Sequence, residues 1–343
     1  MEQSLSPREN YLLAMQHKPT EFIPLGMIHS TFIGFMDAFE KGPEGGGKDG
    51  FGVTWVYPDH KGVNGPIPEP GNFILTDVTK WKSEVQFPDI DAIDWEKKSQ
   101  MDLMMWNKDM QALEYGSGNA PFERFVSLLG FEEALYSMVM EPEASFELLS
   151  AITDYKIEII KKVSKYYKPD IFTYFDDIAT ERSLFMSPET YRQLIKPQHK
   201  RLADACWEEN IMPVQHTCGK ADQCIDDYVE TGAAAWTMVQ TPNDIVGILK
   251  KYEGKFTLIG GFDMQGPPGM ADATEEVVMA ENMRMLTEYS ALTGFIGTYM
   301  GVGGFGGGAD PDASMEEMMK AMMESIMPVI ALVKEYEETR WKK

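Results

Sequence analysis

At 343 residues and 43% hydrophobic content the chain can bury a large core, and a single elaborated domain over residues 1–343 is expected, with two domains as the alternative. Lys and Arg total 31 against 54 Asp and Glu, a net charge of −23 that repels phosphate backbones and anionic headgroups and argues against nucleic acid and membrane partners. The start MEQSLSPRENYLLAM lacks a basic stretch followed by an apolar one, and no run approaches a spanning helix, so a cytoplasmic protein is expected.

Short apolar, β-branched or aromatic runs alternate with longer helical patterns. In chain order the runs are FIPLGMI from Phe22, a weak one near MQALEYG, DIFTYFDD from Asp170, IMPVQHTCG from Ile211, AAAWTMVQ from Ala233, FTLIGGFD from Phe256 and FIGTYMGVGG from Phe295. Strand and helix in repetition mean parallel βαβ units, an α/β fold. These are seven strands, so closing an eight-stranded ring leaves one unassigned, and a doubly wound open sheet is the alternative. Residues 40 to 95 carry KGPEGGGKDG and GPIPEPG around FGVTWVY and NFILTD, which predicts an insertion of loops and short antiparallel strands capping one end of a barrel. Between the runs, segments such as SPETYRQLIKPQHKRLADACWEEN place apolar residues every three or four positions, with Ser187 and Pro188 as N-cap and first turn. The C-terminal SMEEMMKAMMESIMPVIALVKEYEE has the same spacing and predicts a last outer helix.

In parallel α/β folds the reactive groups sit just past the carboxyl ends of strands. There this chain places Asp176 and Asp177 after FTYF, His216 and Cys218 after MPVQ, Gln240 after AAAWTMV and Asp263 after FTLIGGF. His216 and Cys218, two positions apart, can turn an imidazole nitrogen and a sulfur toward one ion, and Zn²⁺ accepts that mixture. A buried histidine beside a structural thiol is the bland alternative. Asp176 and Asp177 can act as general acid, metal ligand or acceptor for a substrate hydroxyl, against the alternative of a solvated acidic loop. Only three cysteines occur, Cys206, Cys218 and Cys224, clustered in a way that suits reduced thiols or a metal and not a disulfide framework; Cys224 is expected to be packed. The run GVGGFGGG lacks the pattern of a phosphate cradle and is expected to form a loop over the site.

The segments SPRENYLLAMQHKPTEFIPLGM, FMSPETYRQLIKPQHKRL, QHTCGK and KKYEGKFTLIGGFD together resemble the uroporphyrinogen-decarboxylase superfamily, in the family's order and over most of the chain. The resemblance implies a distorted (β/α)8 TIM barrel. The family's decarboxylases hold an anionic porphyrinogen with early arginines, whereas this chain has no arginine between Arg8 and Arg124, which disfavours porphyrin chemistry. The His-x-Cys pair, YFDDIATERSLFMSPE, DGFGVTWVYPD and GNFILTDVTKWKSEVQFPDID resemble the corrinoid-dependent methyltransferases, most of all aryl O-demethylase components.

That likeness implies Zn²⁺ held by His216, Cys218 and a carboxylate, Asp263 being the one assigned, with Asp176, Asp177 and Gln240 also open because a further cysteine expected near the last strand is absent. It also implies a partner protein carrying a corrinoid and a methoxylated aromatic as substrate. By their place near strand ends, His29, Trp55, Tyr174, Phe262 and Met300, with Gln240, are candidate walls for the substrate ring, ordinary packing being the alternative, and Asp176 and Asp177 are the candidate catalytic carboxylates, to position a ring hydroxyl or supply a proton. A methyl transfer from methylcorrinoid to a thiol and a non-catalytic corrinoid-binding barrel are the alternatives, and a homodimer is compatible with the sequence.

Overall fold

All but one of the apolar, β-branched or aromatic runs pair as strands, and the chain folds as two units. One comprises residues 31–107 and 112–234, the other 1–30, 108–111 and 235–343. The computed structural model describes residues 4–34, 37–43, 45–57, 65–304 and 315–340.

In the first unit four strands lie in the order β1 (Ser30–Ile33), β5 (Ala112–Ser117), β6 (Ile171–Phe175), β7 (Met212–His216). β5, β6 and β7 are parallel, with Gly116 beside Thr173 and Phe175 beside His216. Because side chains alternate along a strand, Glu114, Thr173, Phe175 and His216 share one face, while Tyr115, Phe172 and Tyr174 share the other. The helix Pro142–Tyr166 and the segment Pro188–Glu208 cover the latter face, where Leu149, Ile152, Ile160 and Leu202 are fully buried. Ser187 caps the second of these, accepting the Thr190 amide at 3.1 Å, as its position before Pro188 predicts.

The inserted region carries β2 (Gly47–Lys48), β3 (Thr54–Val56) and β4 (Ile67–Pro68), an antiparallel sheet of three strands as the Gly and Pro punctuation suggests. Residues 44 and 58–64 of the insertion lie outside the described residues. Its anchor is ionic: Arg124, fully buried, pairs with Asp49 at 2.6 Å, and the Trp55 indole donates to the same carboxylate at 2.9 Å.

In the second unit β8 (Ala235–Val239), β9 (Thr257–Gly260) and β10 (Phe295–Gly297) are parallel, in that order. The run from Phe22 departs from expectation. It forms no strand, only a single parallel bridge from Leu25 to Gly297, because Pro24 offers no amide and Met27 takes a positive φ of 64° that turns the chain. The first strand begins instead at Ser30. The helices Glu275–Tyr289 and Met315–Thr339 complete this unit, the latter where the Met and Ile spacing predicts it. No helix among the described residues is long and apolar enough to cross a membrane.

Candidate functional site

Adjacent parallel strands end at the same level, so the residues just past β6 meet those just past β7. The register that sets Phe175 beside His216 brings Asp177 and Cys218 into contact: the Cys218 amide donates to Asp177 Oδ1 at 2.7 Å. His216 Nε2 lies 3.4 Å from Cys218 Sγ and 3.8 Å from Asp177 Oδ1. One ligand atom from each of the three falls within 4.8 Å of the others, and among the described residues this is the group able to hold a cation. Gly219 makes the turn after Cys218 feasible. Its φ is +81°, and a Cβ there would stand 2.4 Å from the Thr180 carbonyl oxygen.

The electrostatics suit a cation. Burial pushes the His216 imidazole down to about 4, with Asp177 opposing, so the ring is neutral at pH 7 and its nitrogen lone pair is free to ligate. Burial together with Asp177 and Glu123 pushes the Cys218 thiol well above its ordinary range, so the sulfur stays protonated until a positive charge arrives. A nitrogen, a sulfur and a carboxylate oxygen form the donor set that Zn²⁺ accepts, and they fit it.

Asp176 and Asp177 are adjacent in sequence and opposite in role. Asp176 is fully buried; its carboxylate accepts the amides of Phe122 at 3.2 Å and Glu123 at 2.8 Å and faces His199 Nε2 at 2.6 Å. It thereby caps the helix Pro121–Leu129, whose own N-cap Ala120 offers no side-chain acceptor. Asp177, by contrast, is 37% exposed at its side chain and turned to His216.

The remaining expected residues are spread over both units. Tyr174 lies on the face of β6 opposite His216, and Trp55 is buried with its indole committed to Asp49, so neither borders His216. The aromatic groups that do are Phe175, stacked on the His216 ring with centroids 4.1 Å apart, and Phe32, edge-on to Phe175 at 5.5 Å. Phe32 is 39% exposed and lies over Gly116, where a Cβ would come within 2.2 Å of its ring. In the other unit His29 is buried and accepts the Leu25 amide at 3.2 Å; burial lowers its pKa to about 4. There too Met300 is clasped by Asn282, Phe262 is buried and Gln240 accepts from Gln265. Asp263 Oδ1 caps its own turn, taking the amides of Gln265 at 3.2 Å and Gly266 at 2.9 Å. The carboxylate grouped with His216 and Cys218 is Asp177 and not Asp263. Residues 305–308 of the glycine run expected to cover the site lie outside the described residues.

One further group, Glu123, carries no signal in the sequence. It has one buried carboxyl oxygen, Oε2, without a hydrogen-bond partner, while the Asp177 amide bonds the carboxyl. Burial, together with Asp177 and Asp176 and against Lys41, raises it to about 8. No pattern around Pro121 marks it, because it arrives through the capping of its helix by Asp176.

The uroporphyrinogen decarboxylase (URO-D) family model matches residues 109–327, which contain Glu123, Asp177, His216 and Cys218. A solved structure described as a methyltransferase from Methanosarcina mazei superposes with a TM-score of 0.64 at 14% identity, covering 97% of this chain and 99% of that one, a likeness of fold. No curated protein sequence matches the chain.

Proposed function

The chain belongs to the uroporphyrinogen decarboxylase family, and within that family we propose that it is a zinc-dependent methyltransferase, which takes the methyl group of a methoxylated aromatic and passes it to the corrinoid of a partner protein. The observation that carries the reading is the grouping of Asp177, His216 and Cys218 at the end of an aromatic surface formed by Phe175 and Phe32. Porphyrinogen decarboxylation is disfavoured because Arg124, the first arginine after Arg8, is sealed against Asp49 and cannot reach a substrate carboxylate. The described methyltransferase of the same fold from Methanosarcina mazei is consistent with methyl transfer.

In this reading His216 Nε2, Cys218 Sγ and an Asp177 oxygen hold the ion, which when bound supplies Lewis acidity toward an ether oxygen. The chain's own residues do the rest. Phe32 and Phe175 offer a flat apolar surface, edge and face, to a substrate ring. Glu123, its carboxyl raised by burial and by the Asp177 and Asp176 charges against Lys41, stands beside Asp177 as the proton donor for the departing phenolate oxygen. A reduced corrinoid presented by the partner protein would supply the nucleophile for the methyl carbon, and the electron pair of the broken O–CH3 bond would stay on the phenolate oxygen.

Zinc-loaded protein mixed with a reduced corrinoid protein and 2-methoxyphenol should yield catechol and methylated corrinoid. Absence of zinc from the purified protein together with a full rate in His216→Ala would refute the metal role. Methylation of an added thiol by methylcorrinoid, with methyl ethers untouched, would favour the alternative direction of transfer.

A further inference from the structure

The segments that carry the candidate metal ligands are tied together at one buried point. Asp176 accepts the amides of Phe122 and Glu123 through its carboxylate, and its backbone amide donates to the His216 carbonyl at 3.2 Å. Its backbone carbonyl accepts the Thr217 hydroxyl at 2.9 Å, between His216 and Cys218. The same residue therefore touches the end of β6, the end of β7 and the first turn that brings Glu123 in. His199, fully buried on the helix Lys196–Glu208, approaches the Asp176 carboxylate at 2.6 Å. A carboxylate only accepts, so His199 Nε2 carries the hydrogen, leaving Nδ1 to accept from the Tyr191 hydroxyl 3.2 Å away. Tyr191 opens a π-helical turn, Tyr191–Ile195, one residue wider than an α-turn, immediately before this helix.

We propose that His199 is a positioning residue for the metal site: acting through Asp176, and oriented by Tyr191, it fixes the spacing between Asp177 on one strand end and His216 and Cys218 on the next. The inference rests on the reading of those three as ligands. The physical reason is that Asp177 is bonded in sequence to the residue His199 holds. The carboxylate of Asp176 has no solvent to replace a lost donor, so without His199 it must move, and Asp177 moves with it. A histidine serving general stability alone would have no such route to the ligands.

The test is Co²⁺ binding to the full chain, followed by its visible absorption, in four variants and the wild type. His199→Ala should weaken Co²⁺ by ~10-fold or more, the scale of losing a hydrogen bond that orients a metal ligand, and should change the ligand-field spectrum. His199→Gln places an amide nitrogen as many bonds from Cβ as Nε2 and should regain most of the affinity. Leu202→Ala, a buried truncation on the same helix, should lower the melting temperature yet leave Co²⁺ affinity near wild type. Tyr191→Phe, which removes a single hydroxyl, should show a smaller loss and serves if His199→Ala does not fold. Unchanged affinity in both His199→Ala and Tyr191→Phe, or an equal loss in Leu202→Ala, overturns the assignment. A wild type that binds no Co²⁺ overturns the metal reading itself, and this inference falls with it.

Discussion

Glu114 lies on β5, on the face of the sheet that also bears Phe175 and His216, and replacing it with Gln should remove a specific part of the protein's pH response. Burial raises the Glu114 carboxyl from 4.5 to about 7, against the opposing pull of the Thr173 hydroxyl, which donates to it at 2.5 Å. The folded state thus binds the proton more tightly than the unfolded chain does. The stability it contributes is complete below pH 4.5, drains as the pH rises toward 7 and is gone above it. A rise of this size at ~1.4 kcal/mol per pH unit corresponds to ~3 kcal/mol between the two limits. Gln keeps a carbonyl oxygen for Thr173 and has no charge to desolvate. Metal-free wild type and Glu114→Gln should therefore be of similar stability near pH 4, while at pH 8 the variant should be the more stable by ~3 kcal/mol, a few degrees in melting temperature for a chain of this length. Urea unfolding at pH 4, 6 and 8 measures the difference directly, and other titrating groups cancel between the two proteins. A stability difference that stays constant across that range would show that Glu114 does not titrate in the folded state as its burial requires.

Two further substitutions probe the site. Cys218→Ser should weaken zinc binding by more than ~100-fold, beyond the loss expected from disturbing a neighbour of a ligand, while Cys206→Ser and Cys224→Ser, at buried thiols outside the ligand group, should leave it unchanged in a chelator competition. Gly219→Ala should cost ~2 kcal/mol or more in unfolding experiments, since a side chain must adopt φ +81° and its Cβ must share space with the Thr180 carbonyl; a neutral result would mean that the turn after Cys218 is free to relax.

Much of the α/β alternation is legible in the sequence because its signal is local. The runs that form β6, β7, β8 and β9 are β-branched or aromatic, bounded by Asp, Gly or Asn, and need no tertiary information to be read as strands. The run from Phe22 has the same composition yet forms a single bridge, because Pro24 and the turn at Met27 decide pairing where hydrophobicity does not. His216 and Cys218 are legible as a pair for a related reason, since two-residue spacing at a strand end returns to the same side. Tyr174 is the aromatic neighbour the sequence suggests and Phe175 the one the fold supplies, and that one position is the difference between the two faces of a sheet. Phe32 and Glu123 leave no local trace. The first depends on the bare face of Gly116 on another strand, the second on a helix start held by Asp176.

The two adjacent aspartates explain why a site of this kind resists reading from sequence even when its residues are in view. A buried carboxylate must be matched by donors or by a cation, since leaving it bare costs several kcal/mol. Asp176 is matched from within: two amides of a helix start and His199 surround it, so it serves the architecture and has nothing left for a ligand. Asp177, which is partly open to solvent, receives one amide, from Cys218, and otherwise looks toward a neutral imidazole, a protonated thiol and Glu123. Those neighbours include two further acidic groups whose acidity is weakened by burial and by the Asp177 charge, a condition that a bound divalent ion would relieve at Cys218 by taking the proton's place. The division of labour arises from where the donors lie in three dimensions, with α-helical amides reaching one aspartate and missing the next. That separation assigns the fully satisfied residue to the scaffold and leaves the partly satisfied one available to the proposed ion.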